Sequence, residues 1–255
     1  MQNLDRNFYS ALVAPRVSDE EYRRQMAGRL ERKECPRCDG MGFLRASREP
    51  SRGDLIPCEC KAVGMQQART VYSGLSQQMP SQTFGNFVPD TETGEAYRLA
   101  LEFAENPTEY HIFTIRGGVG TGKTHLLQAI GWASLDAGRQ PKFISVASWL
   151  DKLRGTFDDD SPVSFSALYR PLEATQMLLL DDIGAERMTN WGQEQLYKIV
   201  NHRYQEGLPM AVSMNLDAAK AVDIYGERTT DRLLDTGSGR VRVVNTGSKS
   251  YRTGR

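Results

Sequence analysis

Eight consecutive residues, Gly117-Gly118-Val119-Gly120-Thr121-Gly122-Lys123-Thr124, match the pattern G-x-x-x-x-G-K-[ST]. The chemistry this implies is phosphate binding. Glycines admit torsions that turn several backbone N–H groups inward, and a helix opening at the end of the pattern adds the partial positive charge of its N-terminus. Lys123 is then placed to reach the β and γ phosphates of ATP, and Thr124 to offer its hydroxyl to Mg²⁺. Such a site needs a second acid to organise the metal. The apolar run Met177-Leu178-Leu179-Leu180 ends in Asp181-Asp182, 58 residues beyond the lysine. Asp181, at the end of that strand, would hold Mg²⁺, and Asp182 would point to where an attacking water is polarised. In isolation, two adjacent acids at a strand end read as solvated turn residues; paired with the glycine-rich loop they read as a Walker B strand. A later strand ends in Ser213-Met214-Asn215, which puts an amide beside the crevice at the carboxyl ends of the strands. Asn215 is a candidate for sensing the γ-phosphate or positioning the water.

A second chemistry resides in four cysteines. Cys35-x-x-Cys38 and Cys58-x-Cys60 enclose 19 residues between the pairs. In a reducing compartment two close pairs favour a metal over disulfides, and four thiolates suit tetrahedral Zn²⁺. The chain's three histidines, His111, His125 and His202, all lie elsewhere. An iron–sulfur cluster or redox thiols are the alternatives. A zinc site here would hold together a module too small to bury a core.

The elements that must position these residues follow from hydrophobic period. Ser18 and Glu21 fit a capping box, with Val17 before the cap and Tyr22, Met26 and Leu30 on one helical stripe. The stripe serves either its own domain or a partner. The cysteine segment is loop-like, with RASREPSRGDLIP between the pairs, and the connector SGLSQQMPSQ leads to a second domain. We place the boundary between residues 1–75 and 76–255. From Tyr110 on, strand-like YHIFTIRG, PKFISV, MLLLD and PMAVSM alternate with helix-like GKTHLLQAIGWASLDAG, a segment near Ser148 to Leu153, and TNWGQEQLYKIVNHRYQEG. This alternation implies an α/β domain with a central, mostly parallel sheet covered on both faces.

Composition excludes more than it names. Among 255 residues, 39% are hydrophobic, enough for a core, and Lys+Arg equals Asp+Glu at 32 each, so no whole-chain charge draws the protein to nucleic acid or membrane. Residues 1–70 carry 13 basic against 10 acidic side chains, and the segment from Thr236 to Arg255 carries Arg240, Arg242, Lys249, Arg252 and Arg255 with no acid. No apolar run approaches the roughly 18 residues that span a bilayer, and MQNLDRNFYS lacks the apolar stretch of a signal peptide. A cytoplasmic protein with no membrane contact is the expectation.

Taken together, GGVGTGKTHLLQAI, LLLDDIGAE, NHRYQEGLP, SMN and ERTTDRLLD resemble the AAA+ ATPase domain of bacterial replicative helicase loaders of the DnaC/DnaI type. The resemblance spans roughly Ser81 to Arg252, and transposition helper ATPases of the IstB type share nearly all of these motifs. The implied function is ATP-dependent loading of a hexameric replicative helicase onto single-stranded DNA, with regulation of transposition as the alternative. By resemblance Asn215 is sensor 1, and Arg232 is the arginine finger that reaches ATP held by an adjacent subunit, with Arg228 as runner-up. Only 23 residues follow Arg232, too few for a helical lid domain, so self-assembly through ATP sites at subunit interfaces is expected. The segment from Ser148 to Phe157 is similar to the family's extra DNA-binding helix. Arg154 would neutralise phosphate there and Phe157 would stack on bases, although Asp158-Asp159-Asp160 would repel a phosphate chain, and a plain surface helix is the alternative. Thr83-Phe84-Gly85-Asn86-Phe87 resembles the segment that approaches adenine, so Phe84 or Phe87 either lines a base pocket or simply packs. The resemblance also makes the N-terminal cysteine module the helicase-docking region.

Overall fold

Apolar runs that alternate with amphipathic stretches have one economical solution, a sheet with helices on both faces. In the computed structural model, residues 35, 43–45, 55–58, 68–75, 82–158, 160–183, 188–215 and 218–251 are described. The chain divides into two compact units, Met1–Val71 and Tyr72–Arg255. In the first, β1 (Phe43–Arg45) pairs antiparallel with β2 (Leu55–Pro57), with Leu44 opposite Ile56. The Ser18 helix lies outside the described residues.

The second unit runs α1 (Gly94–Glu105), β3 (Ile112–Arg116), α2 (Lys123–Asp136), β4 (Pro141–Ser145), α3 (Val146–Gly155), α4 (Phe165–Ala174), β5 (Met177–Ile183), α5 (Asn190–Glu206), β6 (Met210–Met214), α6 (Ala218–Tyr225), α7 (Glu227–Leu234) and β7 (Val241–Asn245). Its five strands are all parallel, in the order β4-β5-β6-β3-β7. The four strand segments read from the sequence are β3 to β6. The fifth, β7, buries only Val241 and Val244 rather than a continuous apolar run, which is why its sequence signal is weaker.

Both faces of the sheet are buried, so successive residues of β5 serve different cores. Leu178 and Leu180 pack with Leu153, Leu196, Ile199 and Val212 under α3, α5 and α7. Leu179 packs with Phe113, Ile115, Leu126, Ile130 and Phe103 under α1 and α2. At zero exposure each such leucine contributes about 1.5–3 kcal/mol relative to leaving it in water.

Helix ends are set locally. Thr189 caps α5 by accepting from the Gly192 N–H, and Gly207, at φ 63°, ends it in the left-handed conformation. Arg203 of α5 is fully buried and donates to the carbonyls of Leu172, Thr175 and Pro209, tying the end of α4 to the strand starts. Burial pulls its guanidinium down to about 9. Among the described residues, no helix is long and apolar enough to cross a membrane.

Candidate nucleotide-binding site

The glycine-rich loop connects β3 to α2, the context that phosphate binding requires. Gly117, Gly120 and Gly122 have φ of 155°, 80° and 91°. At Gly117 the constraint is also steric, because a Cβ would lie 2.1 Å from Thr246 Oγ1. Lys123, only 7% exposed, donates from Nζ to the Gly118 carbonyl at 2.5 Å. A phosphate oxygen would replace that carbonyl as acceptor. Thr121 lies within the same loop, its hydroxyl 2.6 Å from that of Thr246, while Val119 is exposed at the loop's tip.

The acids that sequence pairs with this loop do meet it. Thr124 Oγ1 donates to Asp181 Oδ1 at 3.0 Å, so the two oxygens expected around Mg²⁺ are already adjacent. Ser213 Oγ donates to the same carboxylate oxygen at 2.6 Å. Burial pushes the Asp181 carboxyl up from its ordinary value, while the hydrogen bonds from Ser213 and Thr124 oppose the rise. Immediately after it the β5–β6 register shifts between Leu180 and Ile183, and Asp182 adopts φ 56°. A left-handed aspartate in a strand costs on the order of 1 kcal/mol. The local network offsets that cost: the Asp182 N–H donates to Ser213 Oγ at 2.9 Å, and Asn215 Nδ2 donates to Asp182 Oδ1 at 2.8 Å. The bulge turns the two consecutive carboxylates into different environments, one buried against Thr124 and one held by an amide.

Ser213 is the residue that sequence reasoning missed. It bridges both acids, and its signal was a single hydroxyl inside the otherwise apolar Met210–Met214. On the other side of the loop, Phe87 is buried against it: a Cβ on Gly122 would lie 2.9 Å from Phe87 Cε2. Phe87 stacks on Tyr97 and meets His125 edge-on, and Phe84 meets Tyr97 edge-on. His125 Nε2 lies 2.9 Å from the Thr83 carbonyl, which fastens the 83–87 segment to α2.

Four residues of interest lie outside this constellation. Arg232 contacts α5 and its own helix: Nε donates to Asn201 Oδ1 at 2.7 Å, Nη1 donates to the Arg228 carbonyl, and the guanidinium lies over the rings of Tyr197 and Tyr204. Arg228, one turn earlier, is exposed. Phe157 is 65% exposed and touches Phe165 and Trp191. Arg154 lies over the Trp191 ring at 5.6 Å, bonded to Asp151 and Thr189. These aromatics open onto a groove of about 470 Å³ that Tyr169 and Lys198 also line. Asp159 lies outside the described residues.

In the N-terminal unit Cys58, buried, directly follows β2, and its Sγ stands 3.8 Å from Cys35 Sγ. A disulfide needs about 2.05 Å. Tetrahedral zinc with legs of about 2.3 Å sets its sulfurs about 3.8 Å apart, so the pair fits the metal's geometry. Cys38 and Cys60 lie outside the described residues, and among the described residues no cluster of three or more metal-ligating side chains occurs.

Comparison with known proteins adds a lineage to this geometry. Residues 79–233 match the family model of the bacterial DnaA ATPase domain. The chain is 32% identical over 154 residues to the chromosomal replication initiator protein DnaA of Borrelia duttonii, an alignment that takes in 59% of this chain and 30% of that protein. It is 30% identical over 138 residues to the replicative helicase loader DnaC of Buchnera aphidicola subsp. Schizaphis graminum, over 54% of this chain and 55% of the relative. The chain thus spans between about a third and a little over half the length of these relatives. A crystal structure of the DnaC helicase loader superposes with a TM-score of 0.57 at 20% identity, covering 67% of this chain and 99% of that one. That likeness is one of fold.

Proposed function

The chain belongs to the family of the bacterial DnaA ATPase domain, and we propose that it is an ATPase that loads a hexameric replicative helicase onto single-stranded DNA in the cytoplasm. The observation that carries the ATPase reading is the continuous network from Thr124 through Asp181 and Ser213 to Asp182 and Asn215. In this reading the 117–124 loop and Lys123 hold the phosphates. Mg²⁺ between Thr124 and Asp181 would supply charge neutralisation on the β and γ phosphates. Asp182, oriented by Asn215, accepts a hydrogen bond from the attacking water and takes up its proton. Arg232 completes the site of a neighbouring copy, its side chain turning from Asn201 to the γ-phosphate upon assembly.

The share of this chain that aligns, 54% with DnaC and 59% with DnaA, does not separate a loader from an initiator role, whereas the share of the relative that aligns, 55% for DnaC and 30% for DnaA, favours the loader role. The four-cysteine module supports it as well, read as the helicase-docking region with Zn²⁺ held by Cys35, Cys38, Cys58 and Cys60. Recovery of the host's replicative helicase by the full chain, and ATP-dependent transfer of that helicase to a closed single-stranded circle, test this role. A chain that recovers no helicase but binds duplex DNA in an ATP-dependent manner is an initiator-like protein, the reading that the family match itself favours. About one equivalent of zinc per chain is expected in protein prepared without chelator; less than half an equivalent counts against the four-thiolate site.

A further inference from the structure

Residues 246–251 run along the glycine-rich loop rather than away from it. The Gly118 N–H donates to the Gly247 carbonyl at 2.9 Å, and the Tyr251 N–H donates to the Gly120 carbonyl at 3.0 Å. One carboxylate oxygen, Glu92 Oε2, accepts from the N–H groups of Ser248 and Lys249 at 2.9 and 3.4 Å. The approach is close enough to demand glycine: Gly247 has φ 73°, and a Cβ there would lie 1.8 Å from Glu92 Oε2. The segment is therefore fastened at both edges, to the loop on one side and to the stretch before α1 on the other.

Tyr251 sits where this strap meets the aromatic cluster of Phe84, Phe87 and Tyr97. Its ring centroid is 6.5 Å from that of Phe87, the residue packed on Gly122. Its hydroxyl is 3.0 Å from Thr93 Oγ1 and donates to the Val88 carbonyl at 3.5 Å, so the phenol is held at its far end. Phe87 is 8% exposed whereas Tyr251 is 46% exposed. Of these two rings beside the loop, one is committed to the core and the other offers a surface to solvent.

We propose that the 246–251 strap is the base-side wall of the nucleotide site, and that Tyr251 is the residue against which the purine ring packs. The proposal rests on the reading of the glycine-rich loop as an ATP site and adds a contact that the loop motif does not contain. An aromatic ring positioned this way discriminates a nucleotide from bare polyphosphate, because stacking needs a base while the loop needs only phosphate.

The test compares ATP with inorganic tripolyphosphate as competitors of a fluorescent ATP analogue on the full chain. Tyr251→Ala is expected to weaken ATP about 10-fold or more, the range for loss of one base–aromatic stack, and to leave tripolyphosphate affinity unchanged. Tyr251→Phe keeps most of the ATP affinity, since the ring remains. Glu92→Ala, which releases the strap without touching the ring, also weakens ATP selectively. Wild-type ATP affinity in Tyr251→Ala alongside lost binding in Lys123→Ala overturns the proposal and spares the ATP reading. Equal weakening of both ligands in Tyr251→Ala also overturns it, because the strap then only props the loop. Wild-type protein that binds neither ligand overturns the ATP reading and the strap with it.

Discussion

At the carboxyl end of β5 and β6, polar side chains are buried and partnered: Lys123, Asp181 and Ser213 are 7%, 9% and 1% exposed, and each is hydrogen-bonded within the site. In the groove between α3, α4 and the start of α5 the reverse holds. Phe157 is two-thirds exposed and touches the rings of Phe165 and Trp191, Phe165 stacks on Tyr169, and the polar contacts of Arg154 are exposed ones. Buried, fully paired groups are costly to disturb, because removing one partner strands another. Exposed rings carry no such coupling. The first arrangement suits one ligand chemistry held in one geometry, and the second suits any base that presents a π-face. The two regions thus differ in tolerance as well as in chemistry.

The sharpest test of the difference is Lys123→Ala. Loss of the ammonium removes a charge-assisted contact to phosphate worth about 3 kcal/mol, so ATP affinity falls on the order of 100-fold, as titration of a fluorescent nucleotide would read. Single-stranded DNA affinity in the absence of nucleotide stays at the wild-type value; a parallel fall in both would merge the two regions into one site. Asp182→Asn comes next. Asparagine tolerates the left-handed conformation observed at φ 56°, so the bulge and ATP binding persist. Turnover falls about 100-fold, the lower end for removing a general base. Unchanged turnover in steady-state assays would leave Asp182 a turn-forming residue.

What the sequence disclosed divides along the same line. The glycine-rich loop and Thr124 were legible because the motif sets residue types at fixed spacing, and Asp181 because it closes an apolar run; the structure brings Thr124 and Asp181 together. Strands β3, β5 and β6 were legible because burial on both faces makes a nearly continuous apolar run, and β4, only partly buried, was legible by its place in the alternation with helices. Ser213 was not singled out, since a lone serine has no spacing signature and its role arises only when β6 lies beside the β5 bulge. The contacts of Tyr251 span more than 120 residues in sequence, to Thr93 and Gly120, and no local pattern announces them. Arg232 illustrates the intermediate case: motif resemblance named it, and the structure adds the Asn201, Tyr197 and Tyr204 contacts that hold it in the single chain.

For the groove, Phe157→Ala should change stability by no more than about 0.5 kcal/mol in denaturant titration, as expected for an exposed side chain. Affinity for single-stranded DNA should drop about 10-fold, within the 1–3 kcal/mol range of one base stack. A stability loss well above 1 kcal/mol would make Phe157 part of the core and erase the contrast between the two regions.

The smallest effect concerns protons, and its sign follows from burial. Because burial raises the Asp181 carboxyl, the folded chain holds that proton to higher pH than the unfolded chain does. Ionised Asp181 therefore costs stability, and the cost is relieved as pH falls through the raised value. Magnesium needs the carboxylate, so Mg²⁺-dependent ATP affinity runs the other way and declines over the same window. Ser213 opposes the rise by donating to Asp181 Oδ1. Ser213→Ala should thus move the decline in Mg²⁺-dependent affinity to higher pH, with the relief of stability shifting in step. Affinity and melting temperature measured across the acid range would show both displacements. Superimposable curves for wild type and Ser213→Ala would mean that this hydroxyl does not tune the acid, and that the network around β5 is scaffolding for Thr124 and Asp182 rather than a device for keeping Asp181 ionised.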